Sequence, residues 1–347
     1  MNRKRIITSV GVILLVTGVV GGTWSGIQAM PTVINNAQEA QSKHSEKEVL
    51  YNGELEINKL NIDTCRSYIV IKKHDNQNVL VERSGNKEIS TITAKNEDKQ
   101  LVIKEDYNEV KIETKNVDDM IRRWVDDMYK PHQSIITVYL PNKVNADIKT
   151  ERDGFTVEDD VFLDTLNFET ISGYLSLSSD LTLENLNIKS KSDISLGIDE
   201  MVGIKNIKIT ANSVNIHGEN SIEDETQIPE NVEIKATSTY YNDESVRINA
   251  YSPVAKNLII NTDSGVALEL PIVETKFNFD VKSSRGIKFE SADYEKYNNT
   301  SVEKYFKDIY VEESNSIKEF KGLINEDLKD EPTEYNVTIK SSYTTFN

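Results

Sequence analysis

The sequence has 347 residues, of which 57 are acidic and 40 basic, with a net charge of −17 and a single cysteine. The charged residues of the first 30 positions are all basic, so the remainder of the chain is more acidic still. A surface of this charge repels phosphate backbones and excludes general nucleic-acid binding. The lone Cys65 excludes an intramolecular disulfide, a Cys-x-x-Cys redox pair and a multi-cysteine metal centre.

The first 30 residues have the composition of a membrane anchor. Three basic residues, Arg3 to Arg5, precede 25 uncharged residues at 6–30, which as a helix would extend about 37 Å and cross a hydrocarbon core of about 30 Å. The positive-inside rule then leaves the N-terminus in the cytoplasm and the rest of the chain outside. The alternative is a cleavable secretory signal ending at Ile27-Gln28-Ala29. Both interpretations export everything that follows, and the first predicts a single-pass protein of the cell membrane.

Residues 31–48 are polar, lack apolar periodicity and are predicted to form a stalk. Beyond them, short apolar runs with period two are separated by polar turns, which is typical of strands. Asp75–Asn78 and Asn96–Lys99 are predicted to be the corners of two hairpins or hairpin-like turns. Apolar residues at steps of three and four in Val117–Tyr129 predict a helical insert near 115–131 that caps an open end of the β structure.

The second half of the chain repeats about every 20 residues. An apolar residue is followed, after five residues, by the pattern apolar-x-apolar. Three copies agree to the residue, namely Ile188 with Ile194 and Leu196, Ile260 with Val266 and Leu268, and Val281 with Ile287 and Phe289. Looser copies are Phe168 with Leu175 and Leu177, and Ile209 with Val214 and Ile216. The leading strands begin at Leu166, Leu186, Ile207, Val232, Leu258 and Phe277.

A period of this length without helices predicts a β-solenoid, in which the inward side chains of one rung stack on those of the next. Gly173, Gly265 and Gly286 are predicted to take positive φ at its corners. The alternative is an antiparallel sandwich. Residues 291–334 interrupt the pattern as a second insert, partly helical around Val302–Ile309, and Tyr335–Lys340 would form the last rung. The predicted fold class is therefore all-β, a parallel β-solenoid-like ectodomain over 49–347 with an N-terminal transmembrane helix and small helical inserts.

Several stretches carry a family resemblance: YIVIKKHDNQNVLVE from Tyr68, NEDKQLVIKE from Asn96, ITVYLPNK from Ile136, and the rungs FETISGYLSL and NTDSGVALEL with Ser-Gly at the corner. The chain resembles the adhesin-like β-strand-repeat family of membrane-anchored bacterial surface proteins, the domain-of-unknown-function group DUF4097. The resemblance covers roughly residues 50–347 and implies a binding ectodomain at the bacterial cell envelope. It supplies no catalytic residues.

The residue types that carry chemistry are scattered. His44, His74, His132 and His217 have no second ligand at metal-site spacing, and the acidic doublets Asp118-Asp119, Asp126-Asp127 and Asp159-Asp160 lie in no calcium-loop pattern. Cys65 has no identifiable partner histidine. Neither a catalytic site nor a metal or cofactor site is predicted. The sharpest enzymatic hypothesis is cleavage of an acidic polysaccharide on one lateral face, using strand residues Glu169, Lys189, Lys205, Lys208 and Lys235.

The sequence thus predicts a non-catalytic, membrane-anchored cell-envelope protein whose repeat ectodomain binds a cell-wall polymer or an envelope protein. A regulator of envelope stress that acts through a membrane partner is the alternative, and the polysaccharide enzyme is a third hypothesis.

Overall fold

The computed structural model describes residues 46–347 except 54–56, 88–89, 108–133, 219–221, 223, 239–243, 273–274, 290–316 and 326–334, together with Asn35 and Gln38. The described residues form 22 strands and two short 3-10 helices, Asp199–Met201 and Glu225–Gln227. The strands of the N-terminal part are β1 (Glu48–Gly53), β2 (Lys59–Thr64), β3 (Ser67–Lys73), β4 (Val79–Gly85), β5 (Ser90–Glu97), β6 (Gln100–Tyr107), β7 (Ser134–Leu140), β8 (Val144–Thr150) and β9 (Phe155–Val157). The repeat region contains β10 (Phe162–Thr170), β11 (Leu175–Leu177), β12 (Thr182–Ser190), β13 (Ile194–Gly197), β14 (Asn206–Ala211), β15 (Val214–Gly218), β16 (Asn231–Ala236), β17 (Glu244–Ala250), β18 (Asn257–Thr262), β19 (Gly265–Glu269), β20 (Phe277–Phe289), β21 (Ile317–Ile324) and β22 (Tyr335–Phe346).

The strands form the two faces of a solenoid, and the chain turns from one face to the other at each corner. One face has the strand order β5-β6-β2-β8-β10-β12-β14-β16-β18-β22, and the other runs β1-β4-β7-β3-β9-β11 and then β13-β15-β17-β19-β22. The long strands β20 and β22 bend across both faces, because the first half of β22 pairs with β18 and its second half with β19. The inner sides of both faces meet in one hydrophobic core.

The parallel stacking predicted from the repeat is confirmed by the strand register. Leu166 pairs with Leu186, Leu186 with Ile207, and the same column continues through Val232 to Leu258. These residues are at most 2% exposed, since alternate side chains of a strand point to the same side. Among the described strands, antiparallel pairing is confined to the two ends, in β1 with β4, β4 with β7, β5 with β6 and β20 with β21. An antiparallel sandwich is therefore the wrong alternative.

The order of the last rungs differs from the prediction. Tyr335–Lys340 is not the terminal rung, because β22 lies between β18 and β20 and pairs in parallel with both. The solenoid instead ends with β20 and the antiparallel β21. The strand β21 also falls inside the predicted helical insert 291–334, so that part of the insert is extended. The rest of that insert and the helix predicted near 115–131 lie outside the described residues.

The predicted hairpins have different outcomes. The turn at Asn96–Lys99 joins the antiparallel pair β5 and β6, and Asp98 and Lys99 take φ of 50° and 64°. The turn at Asp75–Asn78 does not close a hairpin, because β7 lies between β3 and β4. A period-two pattern predicts a strand, but it does not show that a later strand of the chain will pair between two consecutive ones.

The corner glycines are required for two different reasons. Gly286 has the predicted positive φ, 146°. For Gly173 and Gly265 the prediction is wrong, since neither is among the positive-φ residues. A Cβ at Gly173 would collide with the backbone oxygen of Asp153, and one at Gly265 with the ring of Tyr343. Close approach of neighbouring rungs, and not backbone conformation, therefore requires these two glycines.

The face that contains β11 and β13 consists of two separate strand ladders, and one carboxylate joins them. The Glu200 carboxylate accepts the N–H of Leu177 on β11 at 3.1 Å and the N–H of Gly197 on β13 at 2.8 Å. It thereby satisfies backbone donors at the point where the strand ladder is interrupted.

No helix among the described residues is long and apolar enough to cross a membrane. The predicted anchor at 6–30 lies outside those residues.

Candidate ligand-binding face

The outward side chains of β6, β2, β8, β10, β12, β14, β16 and β18 and of the first halves of β22 and β20 form one mostly polar surface, here called the long face. Ile259 of β18 is an exposed apolar residue within it. Because these strands are in parallel register, equivalent positions of successive strands form straight rows across the sheet. Three outward positions of each strand give three rows, separated by the inward apolar positions. The chain thus repeats side-chain chemistry at the strand spacing of about 4.8 Å.

The first row, the amide row, is a ladder of asparagines. Each Nδ2 donates to the Oδ1 of the asparagine on the neighbouring strand, over distances from 2.8 to 3.2 Å. Its members are Asn185, Asn206, Asn231, Asn257, Asn336 and Asn278. An amide offers two donors and two acceptor lone pairs, so an interior member keeps one N–H and one lone pair for a ligand or for water. The exception is Asn257, whose Nδ2 also donates to the backbone oxygen of Glu230 at 3.2 Å.

The middle row combines amides with charges. Asn167 donates to Asp147 at 2.6 Å, and Asn187 donates to Asn167 at 2.8 Å. The row continues with Lys208 and Glu233, which form an ion pair of 2.8 Å. At its other end Asp147 also contacts Lys59, at 2.5 Å.

The third row, the lysine row, is mostly basic. It comprises Lys189, Thr210, Lys235, Asn261, Lys340 and Lys282, in the order of the strands. Toward the N-terminal strands it continues with Glu169, whose carboxylate lies 3.9 Å from Lys189, and then with Lys149.

Two adjoining depressions run along the long face. One, of about 860 Å³, covers β6 to β14 and is lined by side chains that include Asp147, Glu169, Lys189 and Lys208. The other, of about 510 Å³, follows the amide row from Asn185 to Asn257. Lys208 lines both. The arrangement is an open groove of the kind that accommodates an extended ligand across successive rungs.

Two of the groove carboxylates, Asp147 and Glu233, are engaged with cations or amides. Burial acts to raise the pKa of the Asp147 carboxyl, but the hydrogen bonds from Lys59 and Asn167 outweigh it and place the pKa below its usual range. Asp147 is therefore ionised at neutral pH, whereas a general acid needs a raised pKa. The chemistry offered by the groove is hydrogen bonding and charge attraction.

The structure brings together three of the five residues of the polysaccharide-enzyme hypothesis. Glu169, Lys189 and Lys208 line the same groove. Lys235 follows two strands further along the lysine row. Lys205 lies just before β14 and contacts Glu230 at 4.0 Å.

The remaining predicted positions do not converge. His74 contacts the backbone oxygen of Asn78, and His217 lies 3.4 Å from the Ser195 hydroxyl. Asp159 accepts a hydrogen bond from Ser178, while Asp160 lies 3.7 Å from Lys73. Among the described residues no group of three or more His, Cys, Asp or Glu side chains could hold a metal ion. His44, His132, Asp118-Asp119 and Asp126-Asp127 lie outside the described residues.

A half-buried carboxylate organises the first corner. Oε2 of Glu105 accepts the backbone N–H groups of Cys65, Arg66 and Ser67 at 2.8 to 3.1 Å, and Oε1 accepts the Ser67 hydroxyl at 2.8 Å. Burial opposes ionisation, but these hydrogen bonds prevail and lower the pKa of Glu105. Successive N–H groups that converge on one anion form a stable nest.

Cys65 lies at the same corner. Burial raises the pKa of its thiol to about 11, and Glu151 accepts the S–H at 3.2 Å and adds to the effect. The thiol is therefore protonated at neutral pH, which is unfavourable for a nucleophile.

The amide row was not predicted from the sequence, although its signal is visible there. The six members of the row share the pattern Asn-apolar-x-apolar, at 185, 206, 231, 257, 278 and 336. In contrast, nothing in the sequence marks Glu105 as the partner of a corner 38 to 40 residues before it.

Parallel rungs, a continuous core and a polar groove define an all-β solenoid with a lateral groove. The chain belongs to the Toastrack family DUF4097, whose sequence profile matches residues 57–318. This match confirms the resemblance seen in the sequence. A similar solved structure is described as "a putative cell adhesion protein" from Clostridium sporogenes; it is 12% identical, the alignment covers 87% of this chain and 96% of the other, and the TM-score is 0.21. No curated protein matches the sequence.

Proposed function

We propose that this protein is a non-catalytic component of the cell envelope, held at the membrane by the segment 6–30, that binds an envelope partner through the long face. The observation that carries the proposal is the open groove, which extends over successive strands and is lined by regularly repeated amides and charges. Such a surface offers many equivalent contacts to an extended partner, and the rigid stacking of rungs holds them in place.

The non-catalytic part of the proposal rests on the state of two groove carboxylates. Asp147 contacts Lys59 and Asn167, and Glu233 contacts Lys208. Paired carboxylates stabilise a surface for binding, whereas hydrolysis of a glycosidic bond needs one protonated acid beside a free carboxylate.

The location rests on the sequence. An uncharged segment of 25 residues behind three basic residues is long enough to span a bilayer. Protease added to intact cells tests this placement: we expect cleavage of the repeat region, and complete protection until the cells are lysed would contradict it.

Binding is tested with the full-length protein in detergent, incubated with washed envelope fractions. Thr210→Tyr fills the groove of the long face, because Thr210 is a half-buried, outward-facing residue of β14 that lines it. Thr137→Tyr is the matched control, since Thr137 is a half-buried residue in an outward-facing position of β7 on the other face. We expect retention by the wild type and by Thr137→Tyr, and loss with Thr210→Tyr. Equal retention of all three proteins would refute binding through the long face.

A further inference from the structure

The half of the long face between β12 and β20 carries an excess of positive charge on an acidic protein. Glu184 of β12 is exposed but lies outside the three rows. Within the rows, this half carries five lysines and two carboxylates, although the chain as a whole has a net charge of −17. They are Lys189, Lys208, Lys235, Lys340 and Lys282 against Glu233 and Asp280. A local field of this sign, opposite to that of the whole molecule, selects anions.

Both carboxylates are already engaged. Glu233 contacts Lys208 at 2.8 Å, and Asp280 contacts Lys321 of β21 at 3.0 Å. Among the described residues, no ion-pair or hydrogen-bond partner is found for the side chains of Lys235 and Lys340, and both are exposed. Lys189 has only the distant Glu169, at 3.9 Å, and is 71% exposed. Three lysines of one row are thus available to a ligand.

These three lysines are evenly spaced. Lys189, Lys235 and Lys340 lie on alternate strands, with Thr210 and Asn261 on the strands between them. Two strand spacings amount to about 9.6 Å, close to the Debye length of about 8 Å at physiological salt. The lysines therefore act as separate charges at a regular repeat, which matches a polymer with one anionic group per repeating unit.

The amide row supplies the second half of the recognition chemistry. It runs on the same strands as the lysine row, with one outward position between the two. Interior amides such as Asn206 and Asn231 keep a free N–H and a free lone pair, whereas Asn257 uses its second N–H on the backbone oxygen of Glu230. Hydroxyl groups both donate and accept hydrogen bonds and so fit these amides. The two depressions meet at Asn187 and Lys208, so that the groove reaches the amide row and, on β12 and β14, also the lysine row.

We infer that the lysine row and the amide row together form a track for a linear, hydroxylated polyanion that lies across the strands, with its acidic groups on Lys189, Lys235 and Lys340. This inference rests on the proposed function and specifies the chemical class of its ligand. Uronate glycans and polyol phosphates share this chemistry.

The test measures binding of the full-length protein in detergent to immobilised polygalacturonate and poly(glycerol phosphate), with uncharged dextran as the reference polymer. The track variant is Lys189→Gln, Lys235→Gln and Lys340→Gln combined. The matched control, Lys72→Gln, Lys87→Gln and Lys288→Gln combined, removes the same charge from residues that lie outside the long face. Thermal unfolding midpoints establish that both variants are folded.

We expect the wild type and the control to bind at least one of the two polyanions with affinity that falls as salt rises, and not dextran. The track variant loses affinity by about tenfold or more and shows a shallower salt dependence. Which polyanion binds identifies the source of the anionic group, as uronate or as phosphodiester.

Three outcomes overturn the inference: neither polyanion binds at low salt, dextran binds equally well, or both triple variants lose the same affinity. The envelope assay with Thr210→Tyr separates this failure from that of the proposed function. If Thr210→Tyr still abolishes envelope retention while the polyanions fail to bind, the long face binds a partner of another chemistry. If envelope retention is also unchanged, the proposed function fails as well.

Discussion

Asn231 donates from Nδ2 to Oδ1 of Asn206 at 2.8 Å and accepts from Nδ2 of Asn257 at 3.2 Å. Each interior asparagine of the amide row thus links three strands through its side chain, in addition to the backbone ladder. Directly stacked strands of a β-solenoid are joined only through a full turn of chain and not by a short hairpin. Side-chain ladders of this kind therefore reinforce the register between them.

The first prediction follows from these two hydrogen bonds of Asn231. Asn231→Ala removes two amide hydrogen bonds and should lower the free energy of unfolding by about 1–3 kcal/mol. Asn261→Ala on the adjacent strand is the matched control, because Asn261 is also an exposed strand asparagine but belongs to the lysine row. The control should change stability by less than about 0.5 kcal/mol. Urea unfolding followed by circular dichroism measures both, and equal effects would show that the ladder adds no stability.

The repeat geometry could be predicted because it depends on local alternation. Ile188 is buried with Ile194 and Leu196, as their spacing indicates. The position of β22 could not, because every rung has the same apolar pattern and nothing local states which rung Tyr335 will join. The corner glycines likewise differ in what could be predicted. The positive φ of Gly286 follows from the local bend of β20, where the register shifts. The need for glycine at Gly173 depends on Asp153 of the preceding rung.

The candidate face was only partly predictable. The sequence supplied the charged residues Glu169, Lys189 and Lys208, which the structure places in one groove. Which charged side chain pairs with which depends on the register between neighbouring strands. The partners are 20 to 25 residues apart in the sequence, as Glu169 is from Lys189 and Lys208 from Glu233. The nest around Glu105 depends on a still longer separation and on three backbone groups without a sequence signature.

The second prediction concerns pH. The pKa of Glu105 is lowered in the folded protein, although burial opposes this, because backbone and side-chain donors stabilise the carboxylate. A lowered folded-state pKa contributes stability above the unfolded-state value, about 4.3, and this stability is lost as pH falls through the folded-state value. Glu105→Gln should therefore cost about 1–3 kcal/mol at pH 7 and progressively less in acid.

Urea unfolding at neutral pH and at several acidic values measures this difference. Glu169→Gln is the control, since its side chain is 51% exposed on the long face. It should change the unfolding free energy by less than about 0.5 kcal/mol at neutral pH. A constant difference between the wild type and Glu105→Gln across the pH range would contradict the assigned role of the carboxylate.

The third prediction uses the single thiol. Because the pKa of Cys65 is about 11 in the folded protein, only about one thiol in a thousand is ionised at pH 8. Alkylation by iodoacetamide should therefore be slow until strongly alkaline pH and much faster in urea, where the pKa returns to about 8.5. Glu151→Gln removes a neighbouring charge and should lower the pKa part of the way, since burial remains the largest cause. An alkylation profile with its midpoint near 8.5 in the folded protein would show that the thiol is not shielded.

The fourth prediction compares two corner glycines. Gly154 lies between Tyr68 and Tyr174, whose ring centroids are 5.9 Å apart. A Cβ at Gly154 would collide with the Tyr174 ring, but this side chain is 58% exposed and can turn away. A Cβ at Gly173 would instead meet the backbone oxygen of Asp153 and lie 2.7 Å from Oγ1 of Thr170, which accepts the Gly173 N–H.

Gly173→Ala must therefore displace backbone, whereas Gly154→Ala need displace only an exposed ring. We expect Gly173→Ala to lower the free energy of unfolding by about 1–3 kcal/mol and Gly154→Ala by less than about 1 kcal/mol. Urea unfolding of the two variants beside the wild type measures the difference. The opposite order would mean that the Tyr174 ring is held more firmly than its exposure indicates, and that the corner at Asp153 can move.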